Sequence, residues 1–252
     1  MNIQVIGFRG MLGRAVCVAA ATAGHTVLAE DVGPIELAMP EKILAPIVIN
    51  CAGMVKQQHT STHLMMAANA VGPHRLAAVC EIMRARLIHV STDCVFQGGG
   101  PHDEGDIPDA DGPYALSKRA GEVIDPPHLT LRTSFVGFGR FGLIHDLITK
   151  RAVVVSQSLL WTGHTVDTVA QLLVWCAEHP EIAGLIHVPG DEQTRYTLAR
   201  DLKARWKLPA KLVRDDGFVA DRRLTSGKWG YLNMPTLPPF EQQLMDMRRP
   251  ND

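Results

Sequence analysis

Short apolar runs alternate with longer amphipathic segments along the first 190 residues. The runs are rich in β-branched residues and predict strands, whereas the longer segments repeat apolar positions at helical spacing. Strands are expected at residues 3–6, 26–29, 47–51, 87–91, 129–133 and 185–188, and helices at 11–23, 62–83, 114–124 and 166–178. This alternation predicts a doubly wound α/β domain with a mostly parallel sheet and helices on both faces.

The pattern departs from a regular alternation in four places. Only about fifteen residues separate the second and third strands, which leaves room for one short helical turn at most. Gly72-Pro73 predicts an irregularity inside the long second helix, and residues 98–112 form a polar loop. Beyond Phe141 the pattern loosens. We expect the larger domain to span residues 1–190, with part of 134–165 in a substrate cleft, and a small substrate-binding lobe to span 191–252.

Composition excludes several classes of function. The chain of 252 residues carries 25 basic and 26 acidic side chains, a formal net charge of −1, so no global field attracts nucleic acid or an anionic membrane. The start of the chain runs into a strand without a charged leader, and the apolar stretch near residues 43–55 is broken by Pro46 and Asn50. These features predict a cytoplasmic location. The 5 cysteines are far apart and form no CxxC pair, so neither a metal site nor a disulfide framework is expected.

A glycine-rich turn joins the first strand to the first helix. Gly7, Gly10 and Gly13 are spaced GxxGxxG between residues 3–6 and the helix that begins at Met11. Glycine lets the backbone turn tightly and approach a pyrophosphate, and the helix N-terminus offers free N–H groups, including those near Leu12. The spacing predicts a Rossmann-type dinucleotide site.

Two side chains near this turn favour different dinucleotides. Arg9 lies inside the turn and suits the 2′-phosphate of NADPH. Asp31 follows the second strand, where an acidic group meets the adenosine ribose, and Glu30 and Asp31 together would repel a 2′-phosphate and suit NADH. The cofactor is therefore expected to be NADPH or NADH, with the choice open.

A tyrosine and a lysine one helical turn apart carry the candidate chemistry. Tyr114 and Lys118 share a helix face, and a lysine ammonium beside a phenol lowers its pKa toward neutrality. Reduction of a ketone needs such an acid to protonate the carbonyl oxygen. Ser91 and Thr92 end the fourth strand, at the edge of the sheet where ligands bind in such folds.

The motifs GFRGMLG, INCAG, STDCVF, YALSKRAGE and LRTSFVG, in this order, resemble the extended short-chain dehydrogenase/reductase superfamily. They are most similar to its dTDP-4-dehydrorhamnose reductase branch of nucleotide-sugar reductases. The resemblance implies a catalytic triad of Thr92, Tyr114 and Lys118. It also implies reduction of a 4-keto group on a nucleotide-linked deoxysugar by NAD(P)H, for polysaccharide or glycoconjugate precursors, in a chain that could form a homodimer.

The resemblance also implies two sets of binding residues. The cofactor would meet the glycine turn with Arg9, Met11, Leu12 and Asp31, together with Asn50, Cys51, Ala52, Gly53, Ser91, Tyr114 and Lys118. The substrate would meet Val55, Thr92, Cys94, Phe135 and Arg222. Residues 56–59 (KQQH) could also reach a substrate, but their composition favours a polar loop.

Cys94 departs from the branch, whose members usually carry an aromatic residue there. In the similar GDP-fucose synthases a cysteine at the matching position is an acid/base in epimerisation, so Cys94, with His145, could make the chain a bifunctional epimerase/reductase. Phe135 stands in place of a tryptophan typical of the branch, which leaves the sugar open. A third alternative is a non-catalytic NAD(P)-binding regulatory subunit, against which the complete triad argues.

Overall fold

Six parallel strands form the central sheet of the computed structural model, which describes residues 1–55 and 61–249. The strands are β1 (Asn2–Ile6), β2 (Thr26–Leu28), β3 (Ile47–Asn50), β4 (Arg86–Thr92), β5 (Leu129–Thr133) and β10 (Gly184–His187). Their order across the sheet is β10-β5-β4-β3-β1-β2. All five pairings are parallel. The doubly wound, mostly parallel fold expected from the sequence is confirmed, and the carboxyl ends of β1, β3 and β4 meet at one edge.

Eight α-helices occur within the described residues. They are α1 (Met11–Thr22), α2 (Thr62–Met66), α3 (Gly72–Ile82), α4 (Pro113–Ala120), α5 (Leu143–Thr149), α6 (Val166–Glu178), α7 (Arg195–Trp206) and α8 (Phe240–Asp246). A π-helical turn, Ala67–Val71, joins α2 to α3, so the expected irregularity lies immediately before Gly72. Short strands complete the chain: β6 (Phe135–Val136), β7 (Ala152–Ser156), β8 (Leu159–Trp161), β9 (His164–Thr165), β11 (Gln193–Thr194), β12 (Lys211–Asp215) and β13 (Ala220–Asp221).

Two of the four hydrophobic clusters in the described residues are the largest. The first lies under the sheet, where α1 and α6 pack on strands such as β1 and β5 through fully buried residues including Val16 and Val169. The second core joins Val136, Leu147 and Trp161 to residues of α7 and α8 such as Leu198 and Leu244. Segments from both sides of residue 190 therefore build the second core. The domain boundary expected at that position stays a proposal.

Local chemistry explains where individual helices begin. The hydroxyl of Thr165 accepts a hydrogen bond from the Thr168 backbone at the start of α6, and Thr194 with Thr197 forms a capping box for α7. Pro113 opens α4, where its missing N–H leaves no helical bond unmade.

Two expectations about the loops and helices were wrong. The segment between β2 and β3 holds two 3₁₀ turns, Ile35–Leu37 and Pro40–Lys42, because consecutive tight turns need fewer residues than one α-helix. Helix α4 ends at Ala120 and does not continue to residue 124. A Cβ built on the next residue, Gly121, would lie 1.8 Å from the Asn69 carbonyl oxygen, so the chain leaves the helix where it crosses the neighbouring backbone. No helix of the described ranges is long and apolar enough to cross a membrane.

Candidate active site

The glycine turn packs directly against the end of β3. Gly7 has φ +77°, and a Cβ there would lie 2.6 Å from the backbone nitrogen of Ala52. A Cβ on Gly13 would lie 2.2 Å from the Gly7 carbonyl oxygen. Side chains larger than hydrogen are therefore excluded, and the turn brings backbone amides to the start of α1. This helix has no side-chain cap and no acidic residue in its first turn, so its N–H groups are open to an anion.

The remaining predicted cofactor residues near this turn differ in exposure. Arg9 and Asp31 form an ion pair of 3.0 Å, with side chains 75% and 60% exposed. Asp31 also accepts a bond from the Gly33 backbone at 3.0 Å. The two groups with opposed cofactor preferences thus neutralise each other at the surface. Leu12 is buried in the first core, and the Met11 side chain lies near Gly137.

Thr92, Tyr114 and Lys118 converge at the carboxyl end of β4. Thr92 is the last residue of β4 and hydrogen-bonds to Tyr114, while its hydroxyl also contacts Asp93 at 3.1 Å. The Tyr114 side chain is half-buried on α4, and Lys118 lies one turn further along the same helix. The three residue types that the sequence grouped together are therefore neighbours.

The ionisation of this group differs from the expectation. Burial raises the pKa of the Tyr114 phenol above its ordinary value, and the hydrogen bond with Thr92 opposes this. The expected lowering by Lys118 is absent because the lysine amine points to the Val90 carbonyl at 2.7 Å and to His89 at 3.4 Å. Burial in turn lowers the pKa of Lys118 to about 8. Tyr114 is thus a neutral phenol at neutral pH, ready to donate a proton.

Ser91, expected beside the cofactor, is held by a neighbouring carboxylate. Its hydroxyl donates to Glu122 at 2.7 Å and the residue is 3% exposed. The role of Ser91 beside the cofactor stays a prediction.

The predicted residues 50–53 lie at the end of β3, beside the glycine turn. Asn50 is fully buried, and its side-chain oxygen accepts a bond from the Ala52 backbone at 3.0 Å. Cys51 and Ala52 are half-buried, and burial raises the pKa of the Cys51 thiol. Gly53 is exposed and lies close to the side chain of Asn69.

Arg222 and Thr92, two of the predicted substrate residues, lie beside Cys94. The Arg222 guanidinium contacts the Cys94 sulfur at 3.4 Å, and Cys94 is close enough to Tyr114 to influence its pKa. The Nε atom of Arg222 is buried and has no hydrogen-bond partner among the described residues. Arg223, its neighbour, is instead paired with Asp221 at 2.7 Å.

The other candidates occupy separate positions. Val55 and Phe135 are half-buried, and Phe135 pairs with His164 between β6 and β9. His145 lies on α5, where its carbonyl accepts a bond from the Thr149 hydroxyl. The segment 56–59 lies outside the described residues. No group of three or more metal-ligating side chains occurs in the part of the chain that the structure describes.

Four residues of the site escaped the sequence analysis. Asn69 clamps Met54 by donating to its carbonyl at 2.9 Å and accepting from its amide at 2.7 Å. His89 and Glu122 surround Lys118, and Arg195, at the start of α7, is an electrostatic neighbour of Cys94 and Arg222. Glu122 follows Lys118 by four residues, the same spacing that identified Tyr114, and this signal could have found it.

Comparisons with known proteins agree with this architecture. The family described as RmlD substrate binding domain matches residues 1–215. A dTDP-4-dehydrorhamnose reductase of Mycolicibacterium smegmatis is 34% identical over 196 residues, which cover 68% of this chain and 60% of that protein. The chain thus spans less than two thirds of the length of this curated relative.

Two solved structures share the fold over nearly the whole chain. A dTDP-4-dehydrorhamnose reductase of Clostridium acetobutylicum superposes with a TM-score of 0.83 at 21% identity, covering 97% of both chains. A second, from Bacillus anthracis and in complex with NADP, superposes with a TM-score of 0.82 at 18% identity, covering 96% of both chains.

Proposed function

The chain belongs to the RmlD substrate binding domain family, and from this premise we propose that it reduces the 4-keto group of a nucleotide-linked deoxysugar with NADPH or NADH. The observation that carries the proposal is the convergence of Thr92, Tyr114 and Lys118 beside a glycine turn that admits no side chain. The relative from M. smegmatis, a dTDP-4-dehydrorhamnose reductase, supports the choice of substrate class.

The residues of the turn fit a dinucleotide. The space beside Gly7 and Gly13 is too close to backbone for a Cβ, and the uncapped start of α1 presents N–H groups to a pyrophosphate. Gly10, Arg9 and Asp31 would meet the adenosine side, and Asn50 to Gly53 would line the adenosine and nicotinamide sides. When bound, the nicotinamide supplies the hydride that reduces the carbonyl carbon.

Tyr114 is the proton donor in the proposed reaction. Its raised pKa keeps the phenol protonated at neutral pH, so its O–H can pass a proton to the carbonyl oxygen as negative charge develops there. Thr92 orients the phenol and the substrate oxygen through its hydroxyl. Burial lowers the pKa of Lys118 to about 8, so near neutral pH this residue carries a proton that it can return to Tyr114.

The Arg222 side chain favours a substrate that carries negative charge. Its buried Nε has no partner among the described residues, and a planar guanidinium can donate two parallel bonds to phosphate oxygens. A nucleotide diphosphate would satisfy this group, while Val55, Cys94 and Phe135 would contact the sugar.

The test is a cofactor-oxidation screen over nucleotide-linked 4-keto sugars, run with NADH and with NADPH. Wild-type protein should oxidise one cofactor with at least one sugar, and Tyr114→Phe should lose about 100-fold or more of this turnover while binding cofactor as before. Undiminished turnover in Tyr114→Phe would contradict the mechanism. Cofactor binding without turnover on any sugar, together with tight binding of another protein, would favour the regulatory subunit.

A bifunctional epimerase/reductase is the second candidate. The observation that favours it is the contact of 3.4 Å between the Arg222 guanidinium and the Cys94 sulfur, since a nearby cation stabilises a thiolate. A thiolate there could remove a proton from a carbon beside the ketone.

The homodimer and the cytoplasmic location remain predictions from the sequence.

A further inference from the structure

A chain of polar groups behind Lys118 is buried between β3, β4 and α4. The backbone N–H of Ala52 lies 3.0 Å from Asn50 Oδ1, and Asn50 Nδ2 lies 3.1 Å from His89 Nδ1. His89 Nε2 lies 3.4 Å from Lys118 Nζ, which donates to the Val90 carbonyl at 2.7 Å. Asn50 and His89 are fully buried and Lys118 is 6% exposed, so water does not compete for these bonds.

The direction of each hydrogen bond in this buried series determines the direction of the next. A backbone N–H can only donate, so the Asn50 atom facing Ala52 is the oxygen and the atom facing His89 is the NH₂ group. His89 Nδ1 must then be the bare, accepting nitrogen. Because a neutral imidazole carries one proton, that proton is on Nε2 and points toward Lys118.

Lys118 can accept the last hydrogen bond in this series only as a neutral amine. An ammonium has donors alone and would oppose the Nε2–H of His89, whereas an amine accepts that bond with its lone pair and still donates to Val90. The ammonium form needs the reverse order: His89 protonated on Nδ1, the Asn50 amide rotated, and the bond from the Ala52 N–H lost.

The groups around Lys118 and His89 are consistent with Lys118 changing its protonation near neutral pH. Lys118 is faced by Glu122 beyond α4 and by Cys51 after β3, and burial lowers its pKa to about 8. His89 is faced by Lys118 and by His74 of α3, and burial holds its pKa well below the ordinary value. His89 therefore remains uncharged while Lys118 titrates.

We propose that Asn50 and His89 form a positioning relay whose proton order switches with the charge of Lys118 and thereby couples that charge to the backbone of Ala52 at the predicted cofactor wall. The relay does not touch the reacting atoms. Its effect on turnover rests on the proposed function, in which Lys118 returns a proton to Tyr114, but the switch itself does not require that function.

The position of the histidine proton tests the relay directly. In ¹⁵N-histidine-labelled protein the two ring nitrogens have separate shifts according to which one carries the proton. Above about pH 8, the pKa of Lys118, His89 should carry it on Nε2, and below that pH on Nδ1, with one midpoint for both residues. His89→Gln identifies the resonances.

An internal control is present in the same spectrum. His128 accepts a bond on Nδ1 from the Leu87 backbone at 3.0 Å, so its proton should stay on Nε2 throughout. A His89 proton that stays on the same nitrogen on both sides of the Lys118 midpoint would overturn the relay. This readout does not involve turnover, so it can fail while keto-sugar reduction succeeds, and the reverse.

Two variants separate the relay from local electrostatics. Lys118→Met should leave the His89 proton on Nε2 at every pH, because no ammonium remains to reverse it. Asn50→Asp offers acceptors only, so His89 should carry its proton on Nδ1 at every pH and the Lys118 midpoint should rise by about one unit or more. If either variant fails to fold, the other still decides. A pH-dependent switch that persists in Lys118→Met, or Nε2 protonation in Asn50→Asp, would contradict the proposal.

Discussion

The Arg132 guanidinium donates to both carboxylate oxygens of Glu122 at 2.7 Å, and the two side chains are 4% and 7% exposed. Ser91 adds a third bond to the same carboxylate. Arg132 continues to His187 at 3.1 Å, so a buried polar network runs from the strand that carries Thr92 to the last strand of the sheet.

Loss of the Glu122 charge should destabilise the fold. Glu122→Gln leaves the Arg132 cation buried without a counter-ion, and we expect the free energy of unfolding to fall by about 3–5 kcal/mol in urea denaturation. Asp216→Asn is the matched control, because its pair with Arg214 is 63% and 59% exposed and should contribute less than about 1 kcal/mol. Equal effects of the two substitutions would contradict the role assigned to the buried pair.

The surface ion pair of Arg9 and Asp31 should set cofactor preference. Asp31→Asn removes a charge that repels a 2′-phosphate and frees Arg9 to bind it, so kcat/KM with NADPH should rise relative to NADH by about tenfold, or about 1.4 kcal/mol. Arg9→Ala should shift the ratio in the opposite direction. Glu30→Gln makes the same change of charge one residue away and should have the smaller effect; an equal effect would mean that general charge, and not this pair, governs the choice.

Gly13 should tolerate no side chain. In Gly13→Ala the Cβ would meet the Gly7 carbonyl oxygen at 2.2 Å, so the turn must open, with a loss of about 1–3 kcal/mol in stability and weaker cofactor binding. Thermal denaturation and the fluorescence of bound NAD(P)H measure the two effects. Gly230→Ala is the control, since nothing lies within 4 Å of its Cβ, and both measurements should stay near wild type.

The buried Lys118 should make stability depend on alkaline pH. Its pKa is about 8 in the folded chain against 10.5 ordinarily, so between these values the unfolded chain binds more protons and the free energy of unfolding rises with pH. From about pH 8 to pH 10.5, the free energy of unfolding of the wild type should rise by roughly 3 kcal/mol relative to that of Lys118→Met. Chemical denaturation at several pH values measures it, and a constant difference would show that Lys118 titrates normally.

Cys94 decides between the simple reductase and the epimerase. If its thiolate removes a proton beside the ketone, turnover in D₂O should place deuterium on that carbon, and Cys94→Ser should abolish the label while reduction continues. Mass spectrometry of the product measures incorporation. A wild-type product free of carbon-bound deuterium would exclude epimerisation.

The central sheet could be predicted from the sequence because each of its strands is a compact apolar run and the first ends in glycines. The shorter strands could not: β6 and β9 have two residues each, too few for an alternation to be visible. Tyr114 and Lys118 were found because local spacing joins them. His89 was missed because its partners, Asn50 and Lys118, come from distant parts of the chain and are brought together only by the fold.

The ends of the sheet have a consequence for association between molecules. The outer strands β2 and β10 have three and four residues, so each edge presents very few backbone groups to another chain. Open sheets with long, flat edges are templates for strand addition and fibrous growth. The short outer strands therefore leave little edge on which a neighbouring chain could extend this sheet.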